Sequence, residues 1–417
     1  MTGTKIWPRS RLCLVTAFSL CLLFLPGVVS AADTAERAPA SWNVLVPRMS
    51  PNAVVMERDG YALMAAGWAL SAAFFWFMLS RRRAWRIQDF IEIRFRPRKL
   101  AEAVVLGTFL LMSRLVMLPL EFVSYRIYHH YGVAVQSTSR WFGDEMRSCG
   151  VDLVVTIPVL LLLLWTMRRW QGHWWIPAAA GFAAVSAWMV YLTPLIIDPL
   201  FHRFSPLRDV GLRAQILELA TRAGVHVNGV YVGQFSATTT EGNAYVTGLG
   251  DSQRIVVWDT LLKRFSPGEV RSIVAHELGH YALHHILLGL ILAIVGTSFA
   301  LYLLARVLDV SRRWGWVRRP GEPAVLAIAA PVVFALNIMG MPIAHAASRT
   351  MESQADAFSL NLTQDPPSFI AAMQRLSVLD YSDPWPSRIQ ELVFYTHPSI
   401  SERIHAAVLF AGSKGQS

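Results

Sequence analysis

The sequence predicts a mainly α-helical, polytopic membrane protein that carries a small extramembrane α/β module. Three observations carry that prediction. Of 417 residues, 54% are hydrophobic and only 16% charged, against about 25% charged in a soluble domain. Six apolar runs, at about 61–80, 101–120, 151–167, 174–197, 286–306 and 323–345, each suffice for a hydrocarbon core of about 30 Å. Between the fourth and fifth runs, residues 203–284 change character and mix an amphipathic helix with short strands.

Residues 1–32 come first. Lys5, Arg9 and Arg11 precede the apolar run LCLVTAFSLCLLFLPGVV and then VSAA. This is the layout of a signal peptide with a small-residue cleavage site, or of an uncleaved first helix. Residues 33–198 then form an N-terminal membrane domain, and 199–417 a second domain that includes the two spans 286–306 and 323–345.

The net charge of +10 is mostly arginine in short loops between spans. Segment 81–99 holds eight Lys/Arg, the turn 167–173 holds Arg168 and Arg169, and 308–322 holds four. Short Lys/Arg-rich loops face the cytoplasm. Alternation puts all three on that side, and puts 32–59, 121–150, 199–284 and 346–417 on the other. In a bacterium this means an inner-membrane protein whose module faces the periplasm. No nucleic-acid motif is present, so the basic balance belongs to topology and lipid head groups. Three cysteines, Cys13, Cys21 and Cys149, offer neither a CxxC pair nor a disulfide framework. Any metal must be held by His and carboxylate.

In the module, VGLRAQILELATRAG reads as a helix ending at Gly224. VHVNGVYVG, NAYVTGLG and RIVVWDT read as three strands of a small β-meander. SPGE (266–269) is a capping box, so a helix begins near Pro267. The tail reads as three helices, ASRTMESQADAFSLNLT, PPSFIAAMQRLSVL and SISERIHAAVLFAG.

The helix from Pro267 carries His276-Glu277-Leu278-Gly279-His280. HExxH on a helix sets two imidazoles one turn apart on one face, where both reach one Zn²⁺, with Glu277 beside them as a base. By chance the pattern arises in on the order of one in a hundred chains of this length, so a pair of surface histidines stays open on this motif alone. A catalytic zinc takes three protein ligands and leaves one position for water. The best third ligand is Glu352 in SRTMESQADAF. Asp356, one turn on, can accept a hydrogen bond from the other ring nitrogen of a ligating His. An acidic wet face is the plain alternative for both carboxylates. The chemistry this set supports is peptide hydrolysis with Glu277 as general base. His397 and Arg403, in THPSISERIH, are candidates to steady the oxyanion.

Together these stretches resemble the integral-membrane CAAX prenyl protease type 1 family of zinc metalloproteases. The resemblance covers about residues 105–412. It includes YRIYHHYGVAVQSTSRWFGDE, PLIIDPLFHRFSPL, GNAYVTGLG, VVWDTLLKRFSPGEVRSIVAHELGH, SRTMESQADAF and THPSISERI. It implies a zincin-like catalytic module and one Zn²⁺ per chain on His276, His280 and Glu352, with Glu277 as base and Asp356 behind the ligands. It implies that Asn243 lies on an edge strand pairing with extended substrate, and that His397 and Arg403 meet substrate or oxyanion. The chain departs from the family in a shorter N-terminal region that begins like a secretory signal. Its charge pattern also puts the site on the non-cytoplasmic face, whereas the eukaryotic enzymes act on cytosolic prenylated C-termini. The expected partners are a polypeptide substrate and the lipid bilayer, with no nucleic acid. Two competing readings are a metal-binding transporter or channel and an inactive scaffold. Against the first, few paired charges lie in the spans and no inverted repeat is present. Against the second, every chemical position is filled.

Overall fold

The computed structural model describes residues 44–248 and 253–414, so the signal-like run at 1–32 lies outside the described residues. The first helix, α1 (Pro51–Leu79), starts where the Ser50 hydroxyl accepts from the Ala53 N–H at 3.1 Å, with Pro51 in the first turn. Two successive left-handed residues, Arg81 (φ 53°) and Arg82 (φ 51°), end it and kink the chain into α2 (Arg83–Arg94). Next come α3 (Arg98–His130), α4 (Thr138–Arg169), α5 (Trp175–Leu192) and the short α6 (Asp198–Phe201). The last two enclose a π-helical segment, Thr193–Ile197, with a 43° bend, and are long and apolar enough to cross a bilayer only when taken together. The remaining long helices are α10 (His285–Arg313) and α11 (Leu326–Thr363). Among the described residues, five helices are long and apolar enough to cross a bilayer, six with the bent pair. In α10 none of the most apolar stretch is buried inside the protein. Phe299 and Val295 are both 62% exposed. Such a helix is stable when lipid supplies the missing apolar surroundings.

The three basic segments meet at one end of this bundle. Arg318 donates to both Asp89 oxygens at 3.0 and 2.9 Å, and Arg319 to both Glu92 oxygens at 3.1 and 2.9 Å. Arg168 donates to Glu102 at 2.9 Å and to the Gly321 carbonyl at 3.1 Å. Buried Glu322 accepts from Trp85 Nε1 at 3.0 Å and from the Arg318 N–H at 2.8 Å. Gly321 (φ 64°) sits where a Cβ would strike the Leu164 carbonyl, which packs this loop against α4.

The module lies at the other end of α10. It contains β1 (Phe204–Pro206), α7 (Val210–Arg222), β2 (Val230–Gly233), β3 (Ala244–Thr247), β4 (Arg254–Trp258), α8 (Asp259–Arg264) and α9 (Pro267–Ala282). The meander expectation is corrected here: the sheet is mixed, in order β1-β2-β4-β3, with β2 parallel to β4. The reason is burial. Ile255, Val256 and Val257 are all fully buried, so β4 is apolar on both faces and takes the central place. β3, half-buried past Ala244, is left at the edge. Asp259 accepts from the Phe235 and Ser236 N–H groups at 2.8 and 2.9 Å and pins the β2–β3 connection. β1 has three residues and no alternating signal, and escapes a reading by pattern.

The C-terminal helices are α12 (Pro366–Leu379), α13 (Arg388–Phe394) and α14 (Ile400–Lys414). With α7, α9 and the sheet, α12 and α14 close one apolar core around Ile216, Val257, Leu278, Phe369 and Ile404. One boundary differs from expectation. The predicted tail helix at 347–363 is no separate element but the end of α11, which runs 38 residues through Pro331 and Pro342. Among its described neighbours nothing breaks the helix between span and tail, so one rod crosses the bilayer and carries Glu352 into the module.

Candidate active site

The site forms where α9 lies along α11. Helix α9 opens with the capping box that SPGE predicts: Ser266 caps the Glu269 N–H and the Glu269 side chain returns to the Ser266 N–H. Gly279, inside HELGH, permits the close approach. A Cβ there would lie 3.2 Å from Ala355 Cα and 3.1 Å from Phe358 Cβ. The Ser359 hydroxyl donates to the Ser272 carbonyl at 2.7 Å and locks the two helices in register.

This packing brings three candidate donors together. His276 Nε2 lies 3.0 Å from His280 Nε2 and 3.1 Å from Glu352 Oε2, and His280 Nε2 lies 3.5 Å from Glu352 Oε1. Four-coordinate zinc with bonds of 2.0–2.2 Å would hold its donors about 3.3 Å apart. The observed spacings therefore fit that ion. Glu352 Oε2 is also buried, and its only close polar neighbours among the described residues are the His276 and His397 imidazole nitrogens, at 3.1 and 3.2 Å.

Each histidine is braced from behind. His276 Nδ1 meets Asp356 Oδ1 at 2.7 Å. Asp356 in turn accepts from Arg403 Nε at 2.7 Å and Arg403 Nη2 at 2.6 Å, a bidentate pair. The sequence makes Arg403 a candidate to meet substrate or to steady the oxyanion. The structure instead seats its guanidinium, only 2% exposed, on Asp356 behind His276. His397, from the same motif, does reach the cluster, with Nε2 3.2 Å from Glu352 Oε2 and Nδ1 2.9 Å from Thr396 Oγ1. Asn243 directly precedes edge strand β3, and its carbonyl accepts from the Trp258 N–H at 2.9 Å. His285 and Gln354 were not singled out by motif. His285 Nδ1 stands 3.0 Å from His280 Nδ1, and its Nε2 stands 2.9 Å from Gln354 Oε1. The signal for His285 was the His pair at 284–285, five residues past His280.

The electrostatics are those of a buried, ionisable cluster. Burial pushes the Glu277 carboxyl upward, and its Oε1 has no hydrogen-bond partner among the described residues. Burial would lower His276, but the Asp356 and Glu352 carboxylates outweigh it and hold the imidazole up to about 9. Burial opposes ionisation of Asp356, yet Arg403 and His276 bring it down to about 2. Burial opposes ionisation of Glu352, yet the His276 and His280 imidazoles beside it hold it well below the usual range. Burial drives His397 down to about 3.

The comparisons with known proteins agree on one family. Peptidase family M48 matches residues 206–409, and the region described as "CAAX prenyl protease N-terminal, five membrane helices" matches 61–203. The chain is 31% identical over 301 residues to the uncharacterized metalloprotease YhfN of Bacillus subtilis, covering 71% of each. It is 26% identical over 322 residues to CAAX prenyl protease 1 of Saccharomyces cerevisiae, covering 72% of this chain and 70% of the relative. The crystal structure of S. mikatae Ste24p shares the fold, with a TM-score of 0.77 at 23% identity over 87% of this chain and 91% of that one. The family implies a divalent metal, typically zinc. The chain belongs to the CAAX prenyl protease-like M48 metalloproteases and is a multi-pass membrane metalloendopeptidase.

Proposed function

We propose that the protein is a zinc endopeptidase that cleaves membrane-associated or hydrophobic polypeptides on the non-cytoplasmic face, in envelope protein processing or quality control. One zinc per chain would be held by His276, His280 and Glu352. The observation that carries the reading is the 3.0–3.5 Å spacing of those donors beside the buried Glu277 carboxylate. When bound, zinc polarises the scissile carbonyl and acidifies an attacking water. Glu277 takes a proton from that water as the C–O bond forms, and returns it to the amine nitrogen as the C–N bond breaks. Its burial strengthens it as a base. His397, neutral and beside Glu352, donates a hydrogen bond to the carbonyl oxygen as it gains charge. Arg403 acts from behind, holding Asp356 ionised. Edge strand β3, which Asn243 leads into, offers its free edge to an extended substrate. In this reading 33–198 is the membrane domain and 199–417 the protease domain.

Sidedness rests on α10. It has 29 residues, so its ends lie roughly 42 Å apart at 1.5 Å per residue. His285 at one end belongs to the site, while the basic cluster lies at the other. A cytoplasmic basic cluster leaves the site across the membrane, periplasmic in a bacterial inner membrane. A reporter enzyme fused after Ser417 is then active only in its periplasmic form, and activity of a cytoplasmic reporter instead would overturn this.

The yeast relative's name favours a second substrate class, prenylated CAAX peptides. The test is proteolysis by the purified full-length protein in detergent, beside Glu277→Gln, on a denatured casein-like protein and a farnesylated CAAX peptide. Cleavage that Glu277→Gln and 1,10-phenanthroline both abolish is the expected result, and the substrate cleaved decides the class. Cleavage that survives in Glu277→Gln would refute the assignment of the base.

A further inference from the structure

We infer that His285 and Gln354 are positioning residues that set the tautomer and aim of His280 as a metal ligand. They form a neutral brace that parallels the charged Asp356–Arg403 brace behind His276. The inference rests on the ligand set proposed above.

The argument is a count of protons. Two imidazole nitrogens 3.0 Å apart, His280 Nδ1 and His285 Nδ1, need one donor and one acceptor. The other contact decides which is which. Gln354 Oε1 only accepts, so the proton in its 2.9 Å contact sits on His285 Nε2. A neutral imidazole then carries its lone pair on Nδ1. His285 Nδ1 is therefore the acceptor and His280 Nδ1–H the donor. That leaves the lone pair of His280 on Nε2, the atom that faces His276 Nε2 and Glu352. The opposite order would put a proton on His280 Nε2 and close it to a metal.

The fold builds this brace deliberately. His284, in left-handed conformation (φ 57°), turns the chain out of α9 and into α10, so that His285 folds back against His280. The two rings meet edge-on at 5.1 Å and 70°, and His285 is only 6% exposed. Gln354 comes from α11, between Glu352 and Asp356. One stretch of α11 thus supplies a candidate ligand and a brace for each histidine. The chemistry differs on the two sides. A carboxylate makes His276 more electron-rich, whereas an imidazole–amide relay orients His280 without adding charge.

The test is zinc affinity, measured on the metal-stripped, full-length protein in detergent by competition with a chromophoric chelator. His285→Ala is expected to weaken zinc by about 10–100-fold, the range for loss of a group behind a ligand. His285→Asn puts an acceptor oxygen near the position of Nδ1 and recovers most of that loss. Gln354 is exposed, so Gln354→Leu leaves folding intact and costs a smaller but measurable factor by freeing the His285 tautomer. Thermal melting of the metal-free proteins is expected to be alike for wild type and His285→Ala. Wild-type zinc affinity in His285→Ala or Gln354→Leu overturns the inference. So does His285→Asn no better than His285→Ala, or an affinity loss matched by collapse of the metal-free fold. His276→Ala separates the two claims. If it binds zinc like the wild type, the ligand set itself fails; if it loses zinc while His285→Ala keeps it, only the brace fails.

Discussion

The two ends of the helical bundle both gather charge from distant segments, but they pair it differently. At the basic end the carboxylates face arginine. Glu102 takes Arg98 and Arg168, each at 2.9 Å, Asp89 takes a bidentate Arg318, and both Glu92 oxygens accept from Arg319 Nη2. Arginine keeps its proton at any accessible pH, so those pairs hold loops together and offer no lone pair. At the module end the carboxylates Glu352 and Asp356 face imidazoles, which can lose a proton and present a nitrogen. Arginine appears there once in contact with Asp356, as Arg403, and stands behind the histidines. The mark of the reactive end is therefore partner type and not charge density. Both ends are clusters of ion pairs, and the basic end holds more formal charge.

The sharpest way to break this comparison is to remove one arginine from each end. Arg403→Ala leaves Asp356 buried without its bidentate cation, and the expected loss is about 3–5 kcal/mol of stability, read as a large fall in the melting temperature in detergent. An unchanged melt would mean that the pair is not buried as described. A smaller effect is expected from Gly279→Ala. Its Cβ meets the Ala355 backbone, so α9 must shift from α11 at a cost of about 1–3 kcal/mol, with weaker zinc binding alongside. Full zinc affinity in that variant would show that the close approach does not set the ligand spacing. Arg318→Ala, at the other end, removes a pair with Asp89 whose members are 36% and 46% exposed and a longer 3.5 Å contact to Glu322, which keeps its Trp85 and backbone N–H donors. The expected loss is under about 1 kcal/mol, with proteolysis per folded molecule unchanged. A drop in activity would couple that end to the chemistry.

A test independent of both ends concerns a carboxylate away from them. Burial opposes ionisation of Asp259, yet hydrogen bonds from Lys263, Ser236 and the Ser236 and Phe235 amides hold it down to about 2. A depressed folded pKa means stability that is present above the unfolded value, about 3.9, and lost as pH falls through about 2. Asp259→Asn should flatten acid unfolding between about pH 4 and 2 while leaving its course above pH 5 parallel to wild type. Equal acid sensitivity in the two proteins would remove Asp259 as the pin of the β2–β3 connection.

Much of this was legible in the sequence because the signals are local. The spans announce themselves by length and apolarity. SPGE announces the start of α9, and HELGH places two imidazoles on one face without any tertiary information. Other features needed the fold. The order of the sheet turns on which strand is buried on both faces, and IVV in β4 carries that signal only once its neighbours are known. Polarity changes near residue 346 and suggests two helices, while the backbone of α11 continues through the change. THPSISERIH holds His397 and Arg403 six residues apart, and no motif tells that one meets Glu352 and the other turns away to Asp356. His285 and Gln354 are invisible as a pair, because 69 residues separate them and neither belongs to a named pattern.

The central claim is that α9 and the extramembrane end of α11 together build one metal site. Elemental analysis of the purified full-length protein, wild type beside Glu352→Ala, tests it most directly. The expected result is one zinc per chain in the wild type and well below one in the variant. Full occupancy in Glu352→Ala, or no zinc in the wild type, would contradict it.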